Sequence, residues 1–232
     1  MLIGKIQPPT LEELFINKIE DQIFSGRLKP GDKLPTERQL QQETGISRSV
    51  IHSALVTLEK KGFIEIRNRS GAYVLDYTTD GTLEALNAEI RHNGGAMAKN
   101  QVKDFFECKD AIVGGAIQKL AASHSEDDLA ILKNILDNAE AAAEKNDFDT
   151  LTMLLFDFDR TLCRLSGNDF YPLLINEFKP IILGFWEDSL TTTGAEININ
   201  ALRKLLRDIE NHSGDRALAR LLRNSESYLS NL

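Results

Sequence analysis

The sequence predicts a mainly α-helical protein in two domains, and three observations lead to that prediction. Apolar residues recur at helical spacing through most of the chain. One short stretch near residue 65 alternates instead, as a strand does. A polar linker, Asp76-Tyr77-Thr78-Thr79-Asp80-Gly81, then separates the part holding that stretch from a helical remainder. The 232 residues are 42 % hydrophobic and 27 % charged, a mix that fills a core and excludes a disordered or collagen-like chain. Apolar runs such as Ile181-Ile182-Leu183-Gly184-Phe185-Trp186 fall far short of the ~18 residues of a membrane span. Met1-Leu2-Ile3-Gly4-Lys5 lacks the apolar region of a secretory signal, and two cysteines, Cys108 and Cys163, cannot build a disulfide framework. A reducing cytoplasm is the expected setting.

The net charge of −8 is unevenly spread. Residues 1–77 hold 11 basic against 10 acidic side chains, and residues 38–69 hold 6 against 3. Residues 78–232 hold 16 against 25. A polyanion responds to the field within a Debye length of ~8–10 Å, so a locally basic face suffices for nucleic acid if the acidic remainder points away.

Leu11, Leu14, Phe15, Ile19 and Ile23 predict a first helix over 10–25, with Thr10 as its cap and Gly26 as its stop. The Pro30-Gly31 pair marks a turn. Thr36 and Gln39 stand at capping-box spacing and open a short second helix, which Gly45 breaks. Ser47 caps a third helix running from Arg48 to Lys61, and Gly62 ends it. On that helix Ile51, Leu55 and Leu58 share one side, and Arg48, Ser49 and His52 lie off it near the N-terminal end. Ile64-Glu65-Ile66-Arg67 alternates, Asn68-Arg69-Ser70-Gly71 turns and Tyr73-Val74-Leu75 returns, a hairpin with a basic tip. Helix, tight turn, helix and basic hairpin make a winged helix-turn-helix.

Gly26-Arg27-Leu28-Lys29-Pro30-Gly31-Asp32-Lys33-Leu34-Pro35-Thr36-Glu37-Arg38 resembles the opening motif of the GntR family of bacterial transcription factors. The resemblance continues through Gly45-Ile46-Ser47-Arg48-Ser49-Val50, Gly62-Phe63-Ile64 and Gly71-Ala72-Tyr73-Val74, about the first third of the chain. It implies DNA contact by Arg38, Ser47, Arg48 and Ser49. His52 stands where the family usually has arginine, a departure that bears on the operator sequence and not on the docking mode. The chemistry of the residues agrees: a recognition helix enters the major groove by its N-terminus. There Arg48 can offer paired donors to guanine, worth ~1–3 kcal/mol of discrimination. Ser47, Ser49 and the helix-end amides suit phosphate, and Arg67 and Arg69 add charge from the wing.

Beyond the linker, helices are expected over 82–93, 100–123, 126–145, 148–165, 169–190, 198–212 and 215–230, forming a bundle of six or seven. Ser125 caps the third of these, and Pro180 should kink the fifth. The domains expected are a winged helix over 1–77 and an all-α bundle over 78–232. The bundle resembles the effector-binding and dimerisation (FCD) domain of the FadR-type branch, best at Phe158-Asp159-Arg160-Thr161-Leu162 and Ser166-Gly167-Asn168. Lys109 falls where that branch usually carries a cavity-facing arginine.

Many FCD domains bind a divalent metal through an aspartate, a histidine four residues later and two further histidines. The first two positions are Leu155 and Asp159 here, and the expected positions near Arg203 and Glu226 carry no imidazole. None of His52, His92, His124 and His212 is paired at ligand spacing, so no metal or other cofactor is expected. The resemblance then implies an acyl-coenzyme A, a fatty acid or another organic acid as effector, with Lys109, Asn168, Tyr171 and Trp186 as candidate contacts. Phe105, Phe106, Phe156, Phe178 and Phe185 fit either a cavity wall or plain core.

A competing reading is enzymatic. Asp157-Phe158-Asp159-Arg160-Thr161 matches the Asp-x-Asp-x-Thr of haloacid-dehalogenase-type phosphatases, which use Mg²⁺ and two carboxylates. That chemistry needs a parallel sheet, and the surrounding sequence reads as helix, where two residues two apart point ~200° away from each other. A winged helix that contacts protein is a second alternative. The favoured expectation is a non-enzymatic, ligand-responsive regulator that binds a palindromic double-stranded DNA operator as a homodimer without touching a membrane.

Overall fold

In the computed structural model, which describes residues 8–230, the first two helices open by the same local device. The Thr10 hydroxyl accepts from the Glu13 amide at 3.2 Å while the Glu13 carboxylate accepts from the Thr10 amide at 2.8 Å, starting α1 (Leu11–Phe24). Thr36 and Gln39 repeat the reciprocal bonds at the start of α2 (Glu37–Thr44). Gly45 ends α2 at φ 71°, a left-handed geometry that glycine adopts without strain. Ser47 then caps α3 (Arg48–Lys60). Gly62 is needed twice over: its φ is 80°, and a Cβ there would run into the Asp80 carbonyl and the Gly81 backbone.

Strands β1 (Ile64–Arg67) and β2 (Gly71–Val74) pair antiparallel, Ile64 opposite Val74 and Arg67 opposite Gly71. The Pro-Gly segment lies along the free edge of β2, where the Leu34 amide donates to Ala72 and the Val74 amide to Asp32, each at 2.9 Å. The inner face is narrower than simple alternation suggests, for Ile64 is fully buried and Ile66 is 38 % exposed. One core holds these pieces, built on Phe15, Ile19, Leu40, Ile51, Leu55, Leu58, Phe63 and Val74.

The expected linker is structured. Asp76 caps a short α4 (Tyr77–Asp80), and α5 (Leu83–His92) follows. Tyr77 meets Phe24 and Phe63 with ring centroids 5.3 and 5.7 Å apart. The Thr82 amide donates to Lys61 at 3.1 Å, and Ala85 and Ala88 are buried in the same core. The described residues up to Met97 therefore form one compact unit and those from Ala98 onward another, so residues 78–97, grouped with the bundle in the sequence expectation, pack with the winged helix.

The second unit contains seven helices among the described residues: α6 (Lys99–Ala122), α7 (Glu126–Glu144), α8 (Phe148–Leu165), α9 (Phe170–Glu177), α10 (Lys179–Thr192), α11 (Ala195–Glu210) and α12 (Gly214–Ser230). Ser125 caps α7 through Asp128 as expected. The single helix expected over 169–190 is two, separated at Phe178. Pro180 sits in the first turn of α10, where its missing N–H leaves no bond unmade. Helix α6 runs through the middle and packs on α8, α11 and α12. Its Gly114 and Gly115 permit close approach, since a Cβ would lie 2.7 Å from Leu218 Cδ1 and 2.5 Å from the Tyr171 hydroxyl, respectively.

The phosphatase-like segment is helical, inside α8. Asp157 pairs with Arg160 at 2.8 Å on the outer side, whereas Asp159 is buried, so the two carboxylates do not converge on a common ion. Both cysteines are free, Cys163 being buried with its thiol pushed up to about 12, first by burial and then by Asp159. No described helix is long and apolar enough to cross a membrane.

Candidate nucleic-acid interface and bundle cavity

Two places carry functional chemistry, one in each unit. In the first, α3 buries Ile51, Ala54, Leu55 and Leu58 and turns its N-terminal polar residues outward. Arg48 and His52 have 76 % and 64 % of their side chains exposed, and Arg38, Ser47 and Ser49 are exposed beside them. The Ser47 and Ser49 hydroxyls are 3.1 Å apart at the head of the helix, where unpaired amides attract anions.

The wing is the second part of this surface. Arg67 lies 4.5 Å over the Tyr73 ring, and its Nε donates to Glu65 at 2.8 Å. Lys33 Nζ lies 5.7 Å from the same ring. The Tyr73 hydroxyl bonds Ser70 at 2.7 Å, which, aided by nearby Lys33 and Arg67, holds its pKa below the usual phenol value. Arg69 occupies the tip at φ 61°, exposed, in the turn closed by Ser70 N donating to Arg67 O at 3.0 Å. The seven residues expected at DNA thus lie at the outer side of α2 and α3 and on the wing, all on one compact unit.

One residue on that surface went unread in the sequence: Glu37. Its Oε2 accepts from Arg48 Nε at 2.8 Å and its Oε1 bonds His52 Nδ1 at 2.9 Å. The hydrogen bond from Arg48, then that from His52, holds its carboxyl below the usual range. The available signal was the acid inside the Pro35-Thr36-Glu37-Arg38 motif, but an acid at a DNA face looks unfavourable until its partners are known.

In the second unit a cavity of about 210 Å³ opens between α6, α8, α10, α11 and α12. Phe106, Val113, Phe158, Leu162, Phe185 and Leu205 make its apolar wall. Lys109, Asp159 and Trp186 bring polar groups to it. Lys109 Nζ is 3.4 Å from Asp110 Oδ1 and 5.6 Å from the Phe106 ring centre. Asp159 Oδ2 and Trp186 Nε1 are buried without a hydrogen-bond partner, two polar groups for which a bound molecule is the natural complement. Burial raises the Asp159 carboxyl pKa, Lys109 opposes the rise, and Asp110 adds to it.

Of the four expected effector contacts, Lys109 and Trp186 line this cavity. Asn168 precedes α9, and its Oδ1 accepts from the Phe170 and Tyr171 amides at 2.9 and 3.3 Å. Tyr171 packs over Gly115. Phe106 and Phe185 reach the cavity, and Phe105 and Phe178 stack behind them as core. Leu155 is fully buried among apolar groups. His124 and His212 stack 4.6 Å apart, each with Nδ1 bonded to a backbone carbonyl.

A winged helix with an exposed basic recognition face, joined in one chain to an all-α bundle with a ligand-sized cavity, defines a DNA-binding transcriptional regulator. The chain belongs to the gntR family of bacterial regulatory proteins: residues 13–74 match that family and residues 104–225 match the FCD domain. It is 32 % identical over 89 residues to the Uxu operon transcriptional regulator of Escherichia coli (strain K12), covering 38 % of this chain and only 35 % of that one. It is 27 % identical to the HTH-type transcriptional regulator LutR of Bacillus subtilis (strain 168), over 69 % of this chain and 70 % of that one. A fatty acid metabolism regulator protein of Shewanella baltica (strain OS223) is 25 % identical over 95 % of this chain and 90 % of its own. Among solved structures, Lar, described as controlling expression of the Listeria monocytogenes agr system, shares the fold with a TM-score of 0.63, 18 % identity and 97 % coverage of both chains. The matched families and relatives are regulators, and this chain is a regulator rather than an enzyme.

Proposed function

We propose that this regulator binds a palindromic operator as a homodimer and that a small effector, held in the bundle cavity, changes how its two winged helices engage the DNA. The observation that carries the DNA reading is the exposure of Arg48 at the head of α3, opposite the buried Ile51–Leu55–Leu58 face. Arg48 and Arg38 read base edges in the major groove; Ser47 and Ser49 hold phosphate; His52 adds a contact one turn further along. Arg67 and Arg69 bring positive charge from the wing to the backbone or minor groove. Lys109 and Trp186 contact an effector of the organic-acid class, a fatty acid or acyl thioester included, and twofold symmetry turns a small shift into misalignment of both half-sites. The cytoplasm, where the chromosome is accessible, is the place of action.

The test is selection of bound fragments from genomic DNA, followed by gel-shift titration. Arg48→Ala abolishes preference for the recovered duplex, and Arg69→Ala weakens all duplexes alike. A footprint unchanged by Arg48→Ala removes the assignment. Thermal-shift screening with organic acids and acyl-coenzyme A thioesters identifies the effector.

A further inference from the structure

One group on the proposed DNA face has the wrong charge for that surface. Glu37 opens α2 with its side chain 25 % exposed, and each carboxylate oxygen engages a different side chain of α3. Arg48 and His52 stand four residues apart, so they project from successive turns of the same helix face. An ordinary exposed ion pair contributes only ~0–1 kcal/mol to stability, and an acid in the first turn of a helix such as α2 a similar amount, so neither accounts for both carboxylate oxygens being turned onto α3.

The geometry points to Glu37 as a positioning residue that aims Arg48 at the bases and holds His52 beside it. Glu37 takes the Nε of Arg48, at 2.8 Å, and so leaves both terminal guanidinium nitrogens for O6 and N7 of a guanine. Fixing one end of a long side chain removes rotamer freedom before DNA arrives, so less is lost on binding. The 2.9 Å contact to His52 Nδ1 makes that nitrogen the donor and turns Nε2 into the outward end of the ring.

This inference rests on the DNA-binding reading, and its test separates the two. Full-length protein is titrated by fluorescence anisotropy against the duplex recovered by genomic selection and an unrelated duplex of equal length, at constant ionic strength. Failure to recover any duplex with the unaltered protein defeats the DNA reading and this inference with it, before a variant is made. Given a duplex, Glu37→Gln keeps its melting temperature and binds the unrelated DNA at least as tightly, but loses about tenfold in the specific-to-unrelated ratio, the scale of one well-aimed bidentate contact. An unchanged ratio in Glu37→Gln overturns the proposal.

Discussion

Replacing Asp159 by asparagine isolates the electrostatics of the bundle cavity. Asp159 is 3 % exposed, and its Oδ2 has no hydrogen-bond partner. Burial raises its carboxyl above the ordinary 3.8; Lys109 pulls the other way, and Asp110 adds to the rise. Between the two values, therefore, native Asp159 holds a proton that the unfolded chain has already released. The stability this group contributes is complete below 3.8 and is lost as pH climbs from there through the raised native value. Each unit separating the two values is worth ~1.4 kcal/mol, or roughly 3–6 °C in melting temperature for a chain of this size. Asparagine keeps the shape and the unpaired polar atom but cannot ionise. The variant should melt with the wild type in mild acid and increasingly above it toward neutral pH, in scanning calorimetry across that range. A difference that stays constant with pH would mean that folding leaves this carboxyl unshifted, and one that favours the wild type as pH rises would mean an anion paired with Lys109; either result would refute the reasoning.

Three other outcomes are expected. Leu58→Ala, at a fully buried site in the winged-helix core, should cost ~2–5 kcal/mol by urea unfolding and remove DNA binding with the fold. Asp208 is buried and receives Arg220 at 2.8 Å and Arg216 at 3.2 Å, but Arg220 is 19 % exposed and Arg216 72 %. Arg220→Ala should therefore destabilise toward the ~3–5 kcal/mol of a broken buried pair, whereas Arg216→Ala should stay within ~0–1 kcal/mol and fade with salt. Gly115→Val should push Tyr171 away from α6 and lower the melting temperature, because a Cβ alone already comes within 2.5 Å of the tyrosine hydroxyl.

Local chemistry made much of the architecture legible. Thr10, Thr36, Ser47 and Ser125 each accept a backbone amide three residues on, and Gly45 and Gly62 take left-handed φ at helix ends. Such signals act within four residues, so the string of letters carries them whole. The segment 76–81 is harder to read, since its polar residues suggest a linker while Tyr77 packs on Phe24 and Phe63, and Ala85 and Ala88 of the following helix join the same core. The break at Phe178 escaped for a related reason: Pro180 announces a disturbance, but only the first turn of a new helix, rather than a bent old one, accommodates it without losing a bond.

The sequence by itself determined the succession of helices, the winged helix-turn-helix, the exposure of Arg48 and the family resemblance, because periodicity, caps and turn residues are properties of neighbours along the chain. Only the tertiary structure decided which polar groups meet. It gathered Lys109, Asp159 and Trp186 at one cavity, turned the Asn168 amide oxygen to the first backbone amides of α9, and set Glu37 between Arg48 and His52. Partners eleven and fifteen residues away, or on five different helices, converge through packing, and packing depends on shapes in space that no local pattern of residues contains.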